Sequence, residues 1–226
     1  GRTDGIDVES SNNVLIEYCS LDCQDDCYTM KSGRGWDGLR VNRPTENVVV
    51  RHSLALRGAG GIVCGTEVAG FVKNVYCHDC VFQGTDQAFR VKSRRTRGGG
   101  IANYFVERVR ADVKYQAFYC DLLGETKWMG ALAQRFPKPT VRCKRIGRVQ
   151  DVTGLALKDV QIHSEDSILT LDGCSVVNIF GLNNTDRQQP VKVVLRGEPS
   201  QYVSVQEVPM QPVAYHSVRP GAVRSE

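Results

Sequence analysis

The sequence predicts an all-β protein folded as a parallel β-helix, a solenoid whose short coils stack along one axis. Three observations lead there. Asparagines open alternating apolar runs at Asn13, Asn47, Asn74 and Asn103, spaced 34, 27 and 29 positions apart. Apolar residues that follow small ones, at Ile6, Tyr28, Ile62, Phe89 and Phe118, are spaced 22, 34, 27 and 29 apart, so the two series agree interval for interval. Each interval also holds at least two period-2 stretches separated by Gly, Asn, Asp or Ser, and no amphipathic helix longer than about three turns interrupts them. A unit this short cannot bury its own apolar face, so neighbouring units must share a core.

The first unit opens with Thr3-Asp4-Gly5-Ile6-Asp7 and the second with Gln24-Asp25-Asp26-Cys27. Strand alternation sends Tyr28 and Met30 inward with Ile62, Cys64, Phe89 and Val91, and sends Thr29, Val63 and Arg90 outward. Cys19, Ser53, Cys80 and Val109 fall in register as a further column. The longest unit contains Gly33-Arg34-Gly35-Trp36-Asp37-Gly38 and ends at Pro44, which reads as an excursion from the coil. From Phe118 the ladder continues to Ile168, an interval of 50 read as two coils, with Lys127 to Pro139 as a second excursion. Residues 1–184 are expected to form the β-helix domain that carries any site, and 185–226 a closing segment, partly irregular, rich in proline. The chain opens directly on a repeat unit, so the expectation is a solenoid lacking its N-terminal coils and cap.

No apolar run approaches the length of a membrane span. The net charge of +4 is mild, but Arg90, Lys92, Arg94, Arg95 and Arg97 cluster. Aromatic residues for base stacking are missing nearby, so nucleic acid is not the expected partner; an acidic polymer is, since Arg90 and Lys92 alternate onto one outer face. Nine cysteines leave at least one unpaired. Cys77-His78-Asp79-Cys80 has a zinc-like look, yet Cys80 already belongs to the inward ladder, and buried free thiols are the expected reading.

The candidate chemistry lies in three carboxylates. Asp4 and Asp26 are 22 positions apart, one coil, so they should sit on neighbouring rungs about 4.8 Å apart with Asp25 beside them. Crowded carboxylates cannot all ionise cheaply, so one pKa should rise and an acid and a base emerge from one cluster. Cleavage of a glycosidic bond needs that pair. No metal and no cofactor is expected.

These residues resemble a known family. Thr3-Asp4-Gly5-Ile6-Asp7, Gln24-Asp25-Asp26-Cys27, Gly58-Ala59-Gly60-Gly61-Ile62-Val63-Cys64-Gly65-Thr66-Glu67 and Arg90-Val91-Lys92 are similar to the four ordered signatures of the family 28 glycoside hydrolases, the polygalacturonases and their relatives. Lys31-Ser32-Gly33-Arg34 and Arg43 to Arg51 resemble the bacterial branch. The resemblance covers roughly residues 2 to 125. It implies a right-handed parallel β-helix and hydrolysis of pectin by single displacement with inversion. Asp25 takes the place of the general acid, Asp4 and Asp26 those of the water-activating carboxylates, and Arg90 and Lys92 those of the pair gripping a galacturonate carboxylate. It further implies a secreted or periplasmic monomer acting on acidic plant polysaccharide. Two positions depart from the pattern: Arg2 stands where the family usually has Asn, and Ala59 where it usually has His. His52 and His78 fall elsewhere on the coil. The alternatives are a weakened or inactive β-helix that binds acidic polysaccharide, a calcium-dependent pectate-lyase-like eliminase, and a structural solenoid.

Overall fold

The computed structural model describes residues 2–93 and 99–121, and beyond these the strands 150–158, 161–164, 168–172, 174–180, 183–184, 192–196, 203–206 and 214–217. The first coil is β1 (Ile6–Glu9), β2 (Asn12–Glu17) and β3 (Ser20–Asp22). The second is β4 (Tyr28–Lys31), helix α1 (Gly35–Val41) and β5 (Thr45–Arg51), running into β6 (Leu54–Cys64), which bends round a corner and so enters the third. β7 (Val72–Lys92) and β8 (Gly100–Asp121) each continue through a whole coil. The later strands are β9 (Gln150–Lys158), β10 (Gln161–Ser164), β11 (Ile168–Asp172), β12 (Cys174–Phe180), β13 (Asn183–Asn184), β14 (Lys192–Arg196), β15 (Val203–Gln206) and β16 (Ala214–Ser217).

All pairing is parallel, in three walls. One wall runs β2-β5-β7-β8-β9-β12-β15, a second β3-β6-β7-β8-β10-β13, and the third, which carries the site, β1-β4-β6-β7-β8-β11-β14-β16. The third wall pairs Ile6 with Tyr28, Tyr28 with Ile62, Ile62 with Phe89 and Phe89 with Phe118, the ladder expected from the sequence. Tyr28, Met30, Ile62, Cys64, Phe89 and Val91 are buried in the shared core. The Tyr28 hydroxyl donates to the Leu54 carbonyl at 2.7 Å, which satisfies the one polar atom this ring carries inward.

The asparagine series has a backbone cause. Asn13, Asn47, Asn74 and Asn103 hold φ of 55°, 57°, 53° and 58°, the left-handed region that asparagine tolerates better than most residues. Their amides stack rung on rung, Asn47 donating to Asn13 at 3.2 Å, Asn74 to Asn47 at 2.9 Å and Asn103 to Asn74 at 2.9 Å. A second corner column, Tyr18, His52, Asp79 and Arg108, is also left-handed, with φ of 54°, 48°, 53° and 49°. Asp79 and His52 are residue types enriched in that region, whereas Tyr18 and Arg108 do not announce it.

The excursion after Gly33 holds the seven-residue α1, ended by Asn42 at φ 49°. Three expectations change. The interval after Phe118 is one coil, because β9, β10 and β11 all pair directly with β8. Leu169, one residue beyond Ile168, faces Phe118. Thr29 and Val63 stand on the outer side yet are fully buried, so this wall has a covered floor. The excursion from Lys127 to Pro139, and Arg94, Arg95 and Arg97, lie outside the described residues. Within 185–226, β14 and β15 stack on β11 and β12, and β16 on β14.

Candidate active site

Asp4 precedes β1, and Asp25 and Asp26 occupy the turn between β3 and β4. The main chain ties these segments together. Gly5 N donates to Asp26 O at 2.8 Å, Ile6 N to Cys27 O at 2.8 Å, and Asp25 N to Thr3 O at 3.1 Å. The third rung joins through Ala59 N to Asp25 O at 2.9 Å and Cys27 N to Gly60 O at 2.8 Å. Glycine is needed where that rung passes the aspartates. A Cβ on Gly58 would stand 2.4 Å from Asp25 O, and one on Gly60 3.1 Å from Asp26 Oδ1 and 2.4 Å from Val63 Cγ2.

This backbone brings the three carboxylates together, with one oxygen of each within 4.8 Å of the others. That is tighter than the roughly 6.5–9.5 Å separation that seats a water between acid and base in inverting glycosidases. Asp4 Oδ1 accepts from Asp26 N at 3.2 Å, and Asp4 Oδ2 pairs with Lys31 Nζ at 2.6 Å. Asp26, 1% exposed, pairs through Oδ2 with Lys92, while its Oδ1 is buried without a partner. Burial pushes the Asp26 carboxyl above the usual carboxylate range, against the pull of Lys92. The sequence reading put the acid at Asp25; the carboxyl for which the structure gives a raised pKa is Asp26. Burial draws Lys31 down, but its hydrogen bonds to Asp4 and Asp7 outweigh that and hold the ammonium above its ordinary value.

Arg90 lies further along the wall, in register with Val63 and Tyr119. Its guanidinium sits 5.9 Å from the Tyr119 ring centroid, and its Nε is buried without a hydrogen-bond partner. Lys92 shares the outer face with Arg90, as the alternation required, but its ammonium is engaged by Asp26. Asp4, Asp25, Asp26 and Lys92 thus form one cluster, and Arg90 stands beside it with Tyr119.

Ala59 is half-buried next to Asp25, and on the following rung the register sets Asp86 beside it, paired with Lys114 at 3.2 Å. His52 and His78 are remote from the cluster. Tyr18 stacks on His52 at 5.4 Å, His52 meets His78 edge-on at 5.9 Å, and His78 stacks on Tyr76 at 4.5 Å, all on an outer flank. Cys77 and Cys80 point into the core while His78 bonds Asp79 outside, so this segment does not converge on a zinc site. Beneath the aspartate turn, Cys23 and Cys27 are free thiols with sulfurs 3.4 Å apart, and burial raises the pKa of both. A cation seated among the three carboxylates would compete with the ammonium groups of Lys31 and Lys92.

Sequence reasoning gave no site role to Lys31, Asp7 or Tyr119, although the first two stand in the motifs that carry the resemblance. Lys31 was legible as the residue two beyond outward Thr29, and Tyr119 as the one 29 positions beyond Arg90.

Residues 1–118 match the model of the glycosyl hydrolases family 28. The chain belongs to that family. A Vitis vinifera protein described as a "Probable polygalacturonase" is 30% identical over 121 residues, 52% of this chain and 24% of its own length. A polygalacturonase of Ralstonia solanacearum is 28% identical over 132 residues, 54% of this chain and 23% of its own length. The chain therefore spans about a quarter of the length of these curated relatives. Among solved structures, a hyperthermoactive exopolygalacturonase from Thermotoga maritima superposes with a TM-score of 0.61 at 24% identity, over 94% of this chain and 43% of that one. The family's right-handed parallel β-helix is the fold seen here.

Proposed function

We propose that this protein hydrolyses glycosidic bonds in pectin, in polygalacturonate or a related galacturonan. The observation that carries the reading is the set of three carboxylates from two successive rungs, within 4.8 Å of one another on an outer wall and flanked by cations. Membership of family 28 and the polygalacturonases among its relatives support the substrate class. Asp25, half-buried at the lip, donates its proton to the leaving glycosidic oxygen. Asp4 and Asp26 hold and activate the attacking water. Asp25 takes the acid role from its place in the family's motif and its partial exposure, while burial raises the pKa of the Asp26 carboxyl beside it. Arg90, with Lys92 at the cluster's edge, receives the uronate carboxylate and selects the acidic sugar. Single displacement, in which direct attack of water inverts the anomeric centre, rests on the family resemblance. The carboxylate spacing does not carry it, being shorter than inverting pairs usually show. The enzyme acts as a monomer outside the cytoplasm, in the periplasm or secreted, where the polymer is.

The test is incubation with a panel of acidic plant polysaccharides. New reducing ends without an unsaturated uronide chromophore are expected, with first-formed product of inverted configuration by proton NMR. An unsaturated product would instead mean elimination, and a retained anomer would end the single-displacement assignment. Ala59 favours a second reading, a polymer-binding β-helix with weakened hydrolysis. A gain in turnover on Ala59→His supports it.

A further inference from the structure

We propose that Lys31 is a positioning residue of the hydrolytic site and that Asp7 is its anchor, a deepening that rests on the function proposed above. Lys31 pairs in register with Glu9, yet its ammonium reaches Asp7 Oδ1 at 2.9 Å and Asp4 Oδ2 at 2.6 Å. Its aliphatic stem therefore lies back along the outer face, past Thr29 and towards the carboxylate cluster, rather than out into solvent. Asp4 is held from two sides, by Lys31 on one oxygen and the Asp26 amide on the other. A single hydrogen bond leaves a carboxylate free to rotate about its last torsion; two, from groups fixed on the same neighbouring strand and turn, do not. Asp7 completes the arrangement by holding the ammonium where one carboxylate alone would let a long flexible side chain swing away.

A second lysine serves the next carboxylate: Lys92, two rungs beyond Asp26, engages it. Each carboxylate assigned to the water thus has its own lysine. The two lysines differ: Lys92 holds a buried carboxylate, whereas Lys31 has the second anchor Asp7, which places its ammonium between two carboxylates on a single rung. Lys31 and Asp4 each keep 20% of the side chain exposed, enough for a decorative surface pair to be the rival account. A decorative pair contributes a little stability and nothing to turnover. A positioning lysine contributes to turnover and little to stability.

The experiment compares full-length wild type with Lys31→Ala, Lys31→Arg and Asp7→Asn on galacturonate oligomers, reading kcat, KM and Tm, with ethylammonium chloride added to Lys31→Ala. Lys31→Ala is expected to lower kcat about 100-fold and leave KM within about twofold, since only the aim of a reacting group is lost. Ethylammonium should restore part of that kcat, Lys31→Arg should retain more than Lys31→Ala, and Asp7→Asn should lose about tenfold in kcat. An unchanged kcat in Lys31→Ala overturns the proposal while leaving hydrolysis standing. So does a loss confined to KM, which makes Lys31 a substrate contact, or a loss that tracks a fall in Tm and is not rescued. Wild type that releases no reducing ends from any oligomer overturns the hydrolase reading and this proposal with it.

Discussion

The asparagine corner and the carboxylate wall use one device to opposite ends. Both set polar side chains on successive rungs about 4.8 Å apart. At the corner each amide donates to the next, and the column is self-contained. On the wall the polar atoms are not matched. Asp26 Oδ1, Thr29 Oγ1, Gln87 Oε1, Arg90 Nε and Gln116 Oε1 are buried without hydrogen-bond partners, and Gly60, Gln87 and Gln116 stand in one register column. Folding normally leaves few such groups, because each costs about 1–3 kcal/mol. Among the described residues these unpartnered groups gather on the wall with the clustered carboxylates, and that separates it from the self-contained corner.

The sharpest break in that comparison is Asp25→Asn, which should lower turnover by about 10³-fold while the denaturation midpoint stays near wild type. Equal turnover would remove the acid from Asp25. Next is Lys92→Ala. Sequence reasoning expected weaker substrate binding, but the pairing with buried Asp26 predicts a folding defect of about 3 kcal/mol in a denaturant titration, together with lost turnover. A change in KM alone would restore the simpler view. Asn47→Ala, at the centre of its ladder, removes two amide bonds and places alanine at a positive φ. It should cost about 1–2 kcal/mol of stability and leave kcat untouched. A fall in kcat at constant stability would mean that corner and wall are not independent.

The smallest effect is in the pH dependence of stability. The Asp26 carboxyl binds its proton more tightly folded than unfolded, because burial raises its pKa. Between the unfolded and folded values the native state holds more protons, so stability falls as pH rises through that window. Asp26→Asn should flatten that decline in Tm measured across it, and an unaltered slope would locate the effect elsewhere.

Much of this was legible in the residues. The spacings of Asn13, Asn47, Asn74 and Asn103, and of Ile6 through Phe118, are the rung lengths themselves, because side-chain alternation ties register to sequence wherever the coil is unbroken. Where a long insertion intervenes, spacing loses its meaning: 50 positions after Phe118 looked like two coils and is one. Alternation also says which way a side chain points but not what covers it, which is why Thr29 and Val63 were read as outward and found buried.

The order of the aspartates, the coil length that stacks Asp4 on Asp26, and the shared outer face of Arg90 and Lys92 follow from chain chemistry alone, since they depend on period and local conformation. Which cation meets which carboxylate does not. Lys31 with Asp4 and Asp7, Lys92 with Asp26, and the buried environment that raises the Asp26 pKa were decided in three dimensions. Flexible side chains from different rungs choose partners by distance and desolvation, and neither quantity is written along a chain.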